Sequence, residues 1–524
     1  MSGFGEGWAW MALGSKKRES LLYPGCPRTQ AGLDLRLNRQ HESMRVLITG
    51  ATGFVGRALV PALQREGHTI VVWARDVARA RARLGAEVET LDSADSSALT
   101  AVVERCHAVI NLAGEPVVGA RWTEARRAVI RDSRIAATEA LVQAIGAAAV
   151  KPQVLVSASA VGYYGDRADE VLREGSSPAS DFLAQTCHDW EAAAVGAERH
   201  GVRVALLRIG VVLGRDGGAL EQMLPPFRLG LGGPIGGGRQ YLPWIHLHDL
   251  VGVIAAALTD DRYSGPVNAV APEPVTNLQF ARQLGRALSR PAIVPVPALA
   301  LKAAMGEAAS VLLASQRVHS DALSRLGFSF AFPTLAVALA DIAGGADVAL
   351  TPLEGPIDAL GSETGRRYLD KRRPIYELRT TTMVNAPIEK TFEFFSKAEN
   401  LGLMTPSAMG FLIKGAPPRI DEDTIIDYRV RVGGLPIKWR TRIVTWRPGE
   451  RFVDLQEKGP YRAWWHEHVF RDLGSTTQMD DRVCYAPPFG PLGRIANRLF
   501  IAPMLRHVFR YRADVIRLRF GRSR

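Results

Sequence analysis

Cysteine is scarce: Cys26, Cys106, Cys187 and Cys484 are the four in 524 residues, and their spacing suits neither a metal site nor a redox pair. Such scatter excludes a disulfide framework, argues against zinc and places the chain in a reducing cytoplasm. Long apolar runs are also missing. No stretch of about 18 uncharged apolar residues occurs, so no transmembrane helix is expected. The N-terminus lacks the basic, apolar and small-residue order of a secretory signal. Acid is the minority charge, 53 Asp and Glu against 65 Lys and Arg, for a net +12. The bases are dispersed and no nucleic-acid motif accompanies them. They read as a solvated surface with some pull on anionic ligands, not as a surface for nucleic acid or for stable membrane insertion. Short-period repeats are absent.

What is present points to at least two cores, since 524 residues exceed what one core holds. Residues 1–43 carry no period, which implies a disordered segment or a true start at Met44. From Met44 to about residue 271, β-branched runs alternate with helical patterns, the mark of a parallel sheet covered on both faces. The expected strands are 45–48, 69–74, 87–91, 108–112, 153–157 and 203–209. Gly and Pro crowd residues 229–239, a loop expected over the site. Helical patterns fill 272–343. Residues 344–374, rich in Gly, Pro, Asp and Glu and ending in a basic run, read as a linker. From residue 375 to 522 the period changes to two, with one early helix at 388–395, five further strands and a closing helix over 492–518. That order predicts an antiparallel sheet curved around the last helix. Ile495, Leu499, Leu505, Val508, Phe509 and Ile516 are expected to face the sheet, Pro503 to kink the helix, and its arginines to form a solvated face.

The sharpest motif is Thr-Gly-Ala-Thr-Gly-Phe-Val-Gly, from Thr49 to Gly56, set between an apolar strand and an apolar-periodic helix. Gly50 would permit the tight turn, Gly53 the approach of a pyrophosphate, and Gly56 close packing of helix on sheet. The helix N-terminus would offer free N–H groups to phosphate. The second strand ends in Ala74, where an acid would select NAD, and Arg75 follows, which favours NADP(H). Asp76 keeps the NAD alternative open, because a turn shifted by one residue would let it bind the ribose.

Together with the motifs NLAGEPVVGARWTEARR, SASAVGYYGD, DFLAQTCHDWE, the Gly/Pro-rich loop and GPVNAVAPEPVTN, this turn resembles the epimerase-like branch of atypical short-chain dehydrogenase/reductases over residues 44–343. The resemblance implies an α/β, Rossmann-type doubly wound parallel sheet with a small helical region at 272–343. It implies NADP(H) held by Gly50, Thr52, Gly53, Phe54, Val55, Gly56, Arg75, Leu112, Ala113, Gly114, Ser157, Ile209 and Gly210, and an oxidoreductase or epimerase-like activity on an apolar small molecule. Asn111 is open to a second reading, as a cap of its strand. Residues 375–522 resemble the helix-grip, START-like or polyketide-cyclase-like ligand-binding family through VNAPIEKTFEFFSKAENL, WWHEHVF and the closing helix. This implies an α+β domain holding an apolar ligand.

The family's usual chemistry does not carry over intact. A Tyr-x-x-x-Lys pair ordinarily moves the proton, the Lys helping to lower a tyrosine pKa from about 10 by roughly three units. Here Leu183 and Cys187 stand at those two positions. Ser159 matches the family serine and is the expected substrate hydrogen-bond donor. Tyr163 or Tyr164 is the expected proton donor, with core packing an equal alternative for both. A non-catalytic sensor or carrier of NADP(H) is the rival reading. Trp122, Pro225, Phe227, Tyr241 and Trp244 are candidate pocket walls or core. His246 and His248 alternate as a strand pair would, yet no third ligand accompanies them, so no metal is expected. His466 and His468 read as surface residues first, and as cavity groups or a metal pair second.

Overall fold

The computed structural model describes residues 43–521, apart from 86–87, 216, 345–347, 416, 418 and 433. The expectation for residues 1–43 therefore falls outside the described residues, save Ser43. Seven strands and four helices carry the first half: β1 (Arg45–Thr49), α1 (Phe54–Arg65), β2 (Thr69–Ala74), β3 (Glu89–Asp92), β4 (Ala108–Asn111), α2 (Glu124–Ala147), β5 (Val154–Ala160), α3 (Phe182–Val195), β6 (Arg203–Ile209) and β7 (Gly265–Ala269), with a further helix over Leu247–Thr259. They form one parallel sheet in the order β7-β6-β5-β4-β1-β2-β3. The apolar runs explain it. Val46 and Ile48 pack toward α1, Leu47 packs toward α2, and all three are fully buried, as a sheet covered on both faces requires. The order reverses between β1 and β4, where crevices open at strand C-terminal ends in such Rossmann-like sheets.

The second half is an eight-stranded antiparallel sheet: β8 (Val348–Pro352), β9 (Tyr376–Val384), β10 (Leu412–Ile413), β11 (Ile425–Val432), β12 (Leu435–Arg447), β13 (Arg451–Lys458), β14 (Ala463–Asp472) and β15 (Thr477–Ala486), in the order β8-β9-β15-β14-β13-β12-β11-β10. The helices here are α4 (Glu363–Lys371), α5 (Ile388–Phe395) and α6 (Ala502–Phe520). Leu505 and Phe509 of α6 pack on Leu378, Trp464, Val483 and Tyr485 of the sheet. Each such large apolar side chain contributes about 1.5–3 kcal/mol by leaving water.

Four sequence expectations are corrected here. Residues 344–374 hold β8 and α4 in place of a linker. Their few apolar side chains, Leu353, Ile357, Leu360, Tyr368 and Leu369, cover the outer face of the sheet around Trp465, and the Trp464 backbone N–H donates to the Tyr368 hydroxyl at 2.8 Å. The segment read as a linker because so few apolar residues do this. The closing helix is present but not one regular α-helix, since Gly490–Ala496 passes through a π turn at Asn497–Ile501 into α6. Pro503 has no N–H for a carbonyl in the preceding turn, and the chain relieves the clash with an extra residue. Ile495 and Leu499 precede α6 on this helix and are exposed, not on the sheet. Lastly, α6 has no solvated arginine face. From Met504 to Phe520 no residue is exposed, because the helix is sandwiched between the sheet and the first half. Arg57 of α1 donates to the Tyr511 hydroxyl at 3.4 Å, and Arg215 pairs with Asp514 at 2.9 Å. No helix among the described residues is long and apolar enough to cross a membrane.

Candidate functional site

The C-terminal ends of β1, β4, β5 and β6 stand side by side, Thr49 against Asn111, Asn111 against Ser157, and Ala160 against Ile209. The glycine turn leaves β1 at this edge. Gly50 adopts φ +66°, and a Cβ there would lie 2.4 Å from the Leu112 carbonyl oxygen, so the position tolerates only glycine. Gly53 caps α1 and is exposed, and its absent Cβ would meet only the Gly50 carbonyl, at 3.1 Å. No side chain caps this helix and no acid occupies its first turn. The free N–H groups and the positive dipole end are thus left for an anion, a cradle that fits a pyrophosphate. Gly56 differs from expectation. Its Cβ would strike the Ala51 backbone at 2.5 Å, so it closes the helix onto its own turn and not onto the sheet.

The remaining sequence-selected residues divide into two groups. Thr52, Val55, Leu112, Ala113, Gly114 and Ile209 lie along the edge, the N–H groups of Leu112 and Ala113 being held on the Thr49 hydroxyl at 3.1 Å each. Phe54 instead packs its ring into a pocket of Gly214, Gly217 and Gly218. Gly210 is buried against Pro243 and Val270. Ser157 is fully buried and accepts from Asn111 Nδ2 at 3.4 Å. Asn111 is no strand cap: it ties β1, β4, β5 and α2 together through Thr49, Ser157 and Thr138. Arg75 projects into solvent, 83% exposed, and pairs with Glu115 at 3.0 Å. That bond holds the Glu115 carboxyl below its usual range. Asp76 is occupied, accepting from the Arg79 N–H at 2.8 Å as the cap of the helix Val77–Leu84.

On the catalytic side, Ser159 is buried and its hydroxyl donates to Glu191 Oε1 at 2.6 Å. Glu191 receives a two-pronged bond from Arg208, 2.8 Å on each oxygen. Arg208 also donates to the Tyr164 hydroxyl at 2.9 Å, and that hydroxyl donates to Asn268 at 2.7 Å. Burial alone would lower the Arg208 pKa, but Glu191 overrides it and holds the guanidinium charged. Sequence reasoning missed Glu191 and Arg208. Arg208 carried a signal, a charge inside the apolar run 204–209 of β6, whereas Glu191 follows His188 and Asp189 in α3 and carried none. Tyr164 is fully buried and its hydroxyl is spent in this chain, which removes it as a proton donor. Tyr163 is half-buried beneath the Arg208 guanidinium, 3.5 Å from its ring centre, and no described residue hydrogen-bonds its hydroxyl.

Leu183 and Cys187 do face this turn, at 3.6 and 3.7 Å from the Cβ position of Gly162. Burial, with Glu191 nearby, pushes the Cys187 thiol up to about 12, so it is inert. Among the proposed walls, Phe227 and Trp244 are core, Pro225 is exposed, and Trp122 and Tyr241 are half-buried. His246 and His248 do not share a strand face, because a helix begins at Leu247 and His246 Nδ1 caps it by accepting from the His248 N–H at 3.2 Å.

The NAD dependent epimerase/dehydratase family matches residues 46–269, and a domain of unknown function matches 296–342. The epimerase family protein SDR39U1 homolog, chloroplastic, of Arabidopsis thaliana is 43% identical over 319 residues, 60% of this chain and 91% of that protein. The chain belongs to the SDR39U1 epimerase family. Human SDR39U1 is 39% identical over 303 residues, 57% of this chain and 99% of its own length. A crystal structure of the human epimerase family protein SDR39U1 (isoform 2) with NADPH superposes with a TM-score of 0.52 at 37% identity, covering 57% of this chain and 99% of that one. Family membership thus joins the uncapped glycine turn to a relative whose structure contains NADPH.

Proposed function

We propose that this SDR39U1-family chain is an NADP(H)-binding oxidoreductase or epimerase-like protein acting on an apolar small molecule, and that its second half is a helix-grip, START-like domain that presents or sequesters that molecule. The observation that carries the reading is the uncapped glycine turn beside Arg75, with Asp76 spent as a helix cap and so removed as a ribose acceptor. Gly50 and Gly53 would let the dinucleotide approach the uncapped N–H groups at the start of α1, Leu112, Ala113 and Gly114 would line it, and Arg75 would meet the 2′-phosphate. When bound, NADP(H) supplies or accepts a hydride. This chain supplies position and a proton: Tyr163 as the hydroxyl donor, and the Ser159 oxygen, fixed by Glu191, as a polar contact for substrate. In the second half, the cavity between sheet and α6 is walled by Tyr428, Trp439, Tyr461, Trp464 and Phe509, which suits an apolar ligand. The three described cysteines are buried and unpaired, in keeping with a cytoplasmic setting.

One observation favours the sensor or carrier instead: the Ser159 proton is already given to Glu191, and Leu183 and Cys187 replace the usual Tyr and Lys. Calorimetric titration with NADPH and NADH, followed by an NADPH-oxidation screen against apolar ketones and aldehydes, separates the two. NADPH-selective binding with turnover that Tyr163→Phe abolishes establishes the enzyme, and binding without turnover establishes the sensor. Failure to bind either dinucleotide overturns both.

A further inference from the structure

His466 and His468, expected at the surface, are buried at the floor of the cavity beneath α6. They alternate on β14, with Asp454 of β13 and Asp481 of β15 as their cross-strand neighbours. Each imidazole is flanked by both carboxylates, through opposite nitrogens. Asp454 Oδ2 lies 3.3 Å from His466 Nδ1 and 3.4 Å from His468 Nε2. Asp481 Oδ1 lies 3.3 Å from His466 Nε2 and 2.6 Å from His468 Nδ1. Arg512 of α6 closes the group, 3.8 Å from Asp481 Oδ1.

Of the four contacts, His466 Nε2 to Asp481 has hydrogen-bond geometry, and Arg512 Nη2 also lies 3.4 Å from His468 Nδ1. With the Asp481-facing nitrogens of both rings protonated, the lone pairs of His466 Nδ1 and His468 Nε2 are turned to the acceptor-only carboxylate of Asp454. Three electron-pair donors brought together in this way, with ring centres 3.8 Å apart, form the kind of set a cation occupies. The ligand atoms of Asp454, His466 and His468 lie within 4.8 Å of one another, and two histidines with one carboxylate form a set that divalent transition metals accept with positions left open. Asp481 then stands as the outer carboxylate that fixes both tautomers by taking their second N–H, the usual support of a metal-bound histidine. Its Oδ2 is buried with no hydrogen-bond partner among the described residues.

We infer that Asp454, His466 and His468 bind one divalent transition-metal ion at the floor of the C-terminal cavity, with its open positions toward the apolar chamber and Asp481 orienting both histidines. The site is independent of the glycine turn and of any apolar ligand, so its test contains neither. Full-length, tag-free protein stripped by chelation is titrated with Co2+, read by its visible d–d absorption, and with Zn2+ by calorimetry. One ion per chain is expected, with Zn2+ displacing Co2+. His468→Ala and Asp454→Asn should weaken binding at least about 100-fold and Asp481→Asn about 10–100-fold, while His248→Ala, at an exposed position, leaves it unchanged. Wild-type protein that takes up no stoichiometric ion overturns the inference, whatever the variants do. Binding that survives His466→Gln in protein still folded by circular dichroism overturns it equally.

Discussion

Along the edge of the parallel sheet, the groups left open for a ligand are backbone N–H donors at the start of α1, and the buried hydroxyls of Ser157, Ser159 and Tyr164 are consumed by one another's neighbours. Under α6 the arrangement is reversed: Asp454, His466, His468 and Asp481 sit in paired positions of an antiparallel ladder, and charged side chains from three strands converge on one point. A parallel sheet ends all its strands at one edge, so loops and helix termini meet there. An antiparallel sheet under a helix offers a face, so alternate side chains meet there. Each half places its chemistry where its topology leaves room.

The ion pairs repeat the contrast. Arg208 and Glu191 in the first half and Arg440 and Asp427 in the second are both two-pronged, with 2.8 Å contacts, but the former side chains are 4% and 9% exposed and the latter 34% and 41%. The largest expected effect in the molecule follows. Arg208→Leu strands a buried carboxylate and should cost about 3–5 kcal/mol in urea unfolding. The matching Arg440→Leu should cost less than about 1 kcal/mol. Equal losses would break the comparison.

This contrast also marks what the sequence made legible. The glycine turn is eight consecutive residues, and β1, β2, β4, β5 and β6 are mainly apolar runs, so these could be read directly, whereas β3, Glu-Thr-Leu-Asp, was expected two residues early and β7, Gly-Pro-Val-Asn-Ala, has no apolar run and was not read as a strand. In the second half the ranges of β9, α5 and β13 were equally plain from their periods. The Asp454, His466, His468 and Asp481 group was not, because it is assembled from three strands across 28 residues of sequence and the histidines alone look like polar positions on an edge. Burial made the difference, and it came from α6, a helix whose contribution the arginines of 502–520 concealed.

The seam between the halves yields a second test, of intermediate size. His507 of α6 faces Arg215, Arg228 and Arg510, and burial together with those guanidinium groups lowers its pKa to about 4 from an ordinary 6.5. The folded state therefore favours the neutral ring, and the unfolded chain binds the extra proton. Stability from this group is complete above pH 6.5 and is lost as pH falls toward 4, on the order of 3 kcal/mol across that window. Wild-type protein should lose urea resistance over this range, and His507→Gln should flatten the profile. A profile unchanged by the substitution would mean that the halves are not held at this seam.

The smallest effect is the one that bears most directly on the cofactor proposed for the first half. Arg75 is exposed and tied only to Glu115, so its removal should leave the fold intact. An exposed guanidinium meeting a 2′-phosphate is worth about 1.4 kcal/mol, or tenfold in affinity. Arg75→Ala should therefore weaken NADPH about tenfold in calorimetry and leave NADH unchanged, since in the proposed pose the pyrophosphate would still meet the uncapped N–H groups at the start of α1. Equal weakening of both dinucleotides would show that Arg75 acts on the turn itself through Glu115. No weakening of either would move recognition of the 2′-phosphate away from Arg75 to another residue.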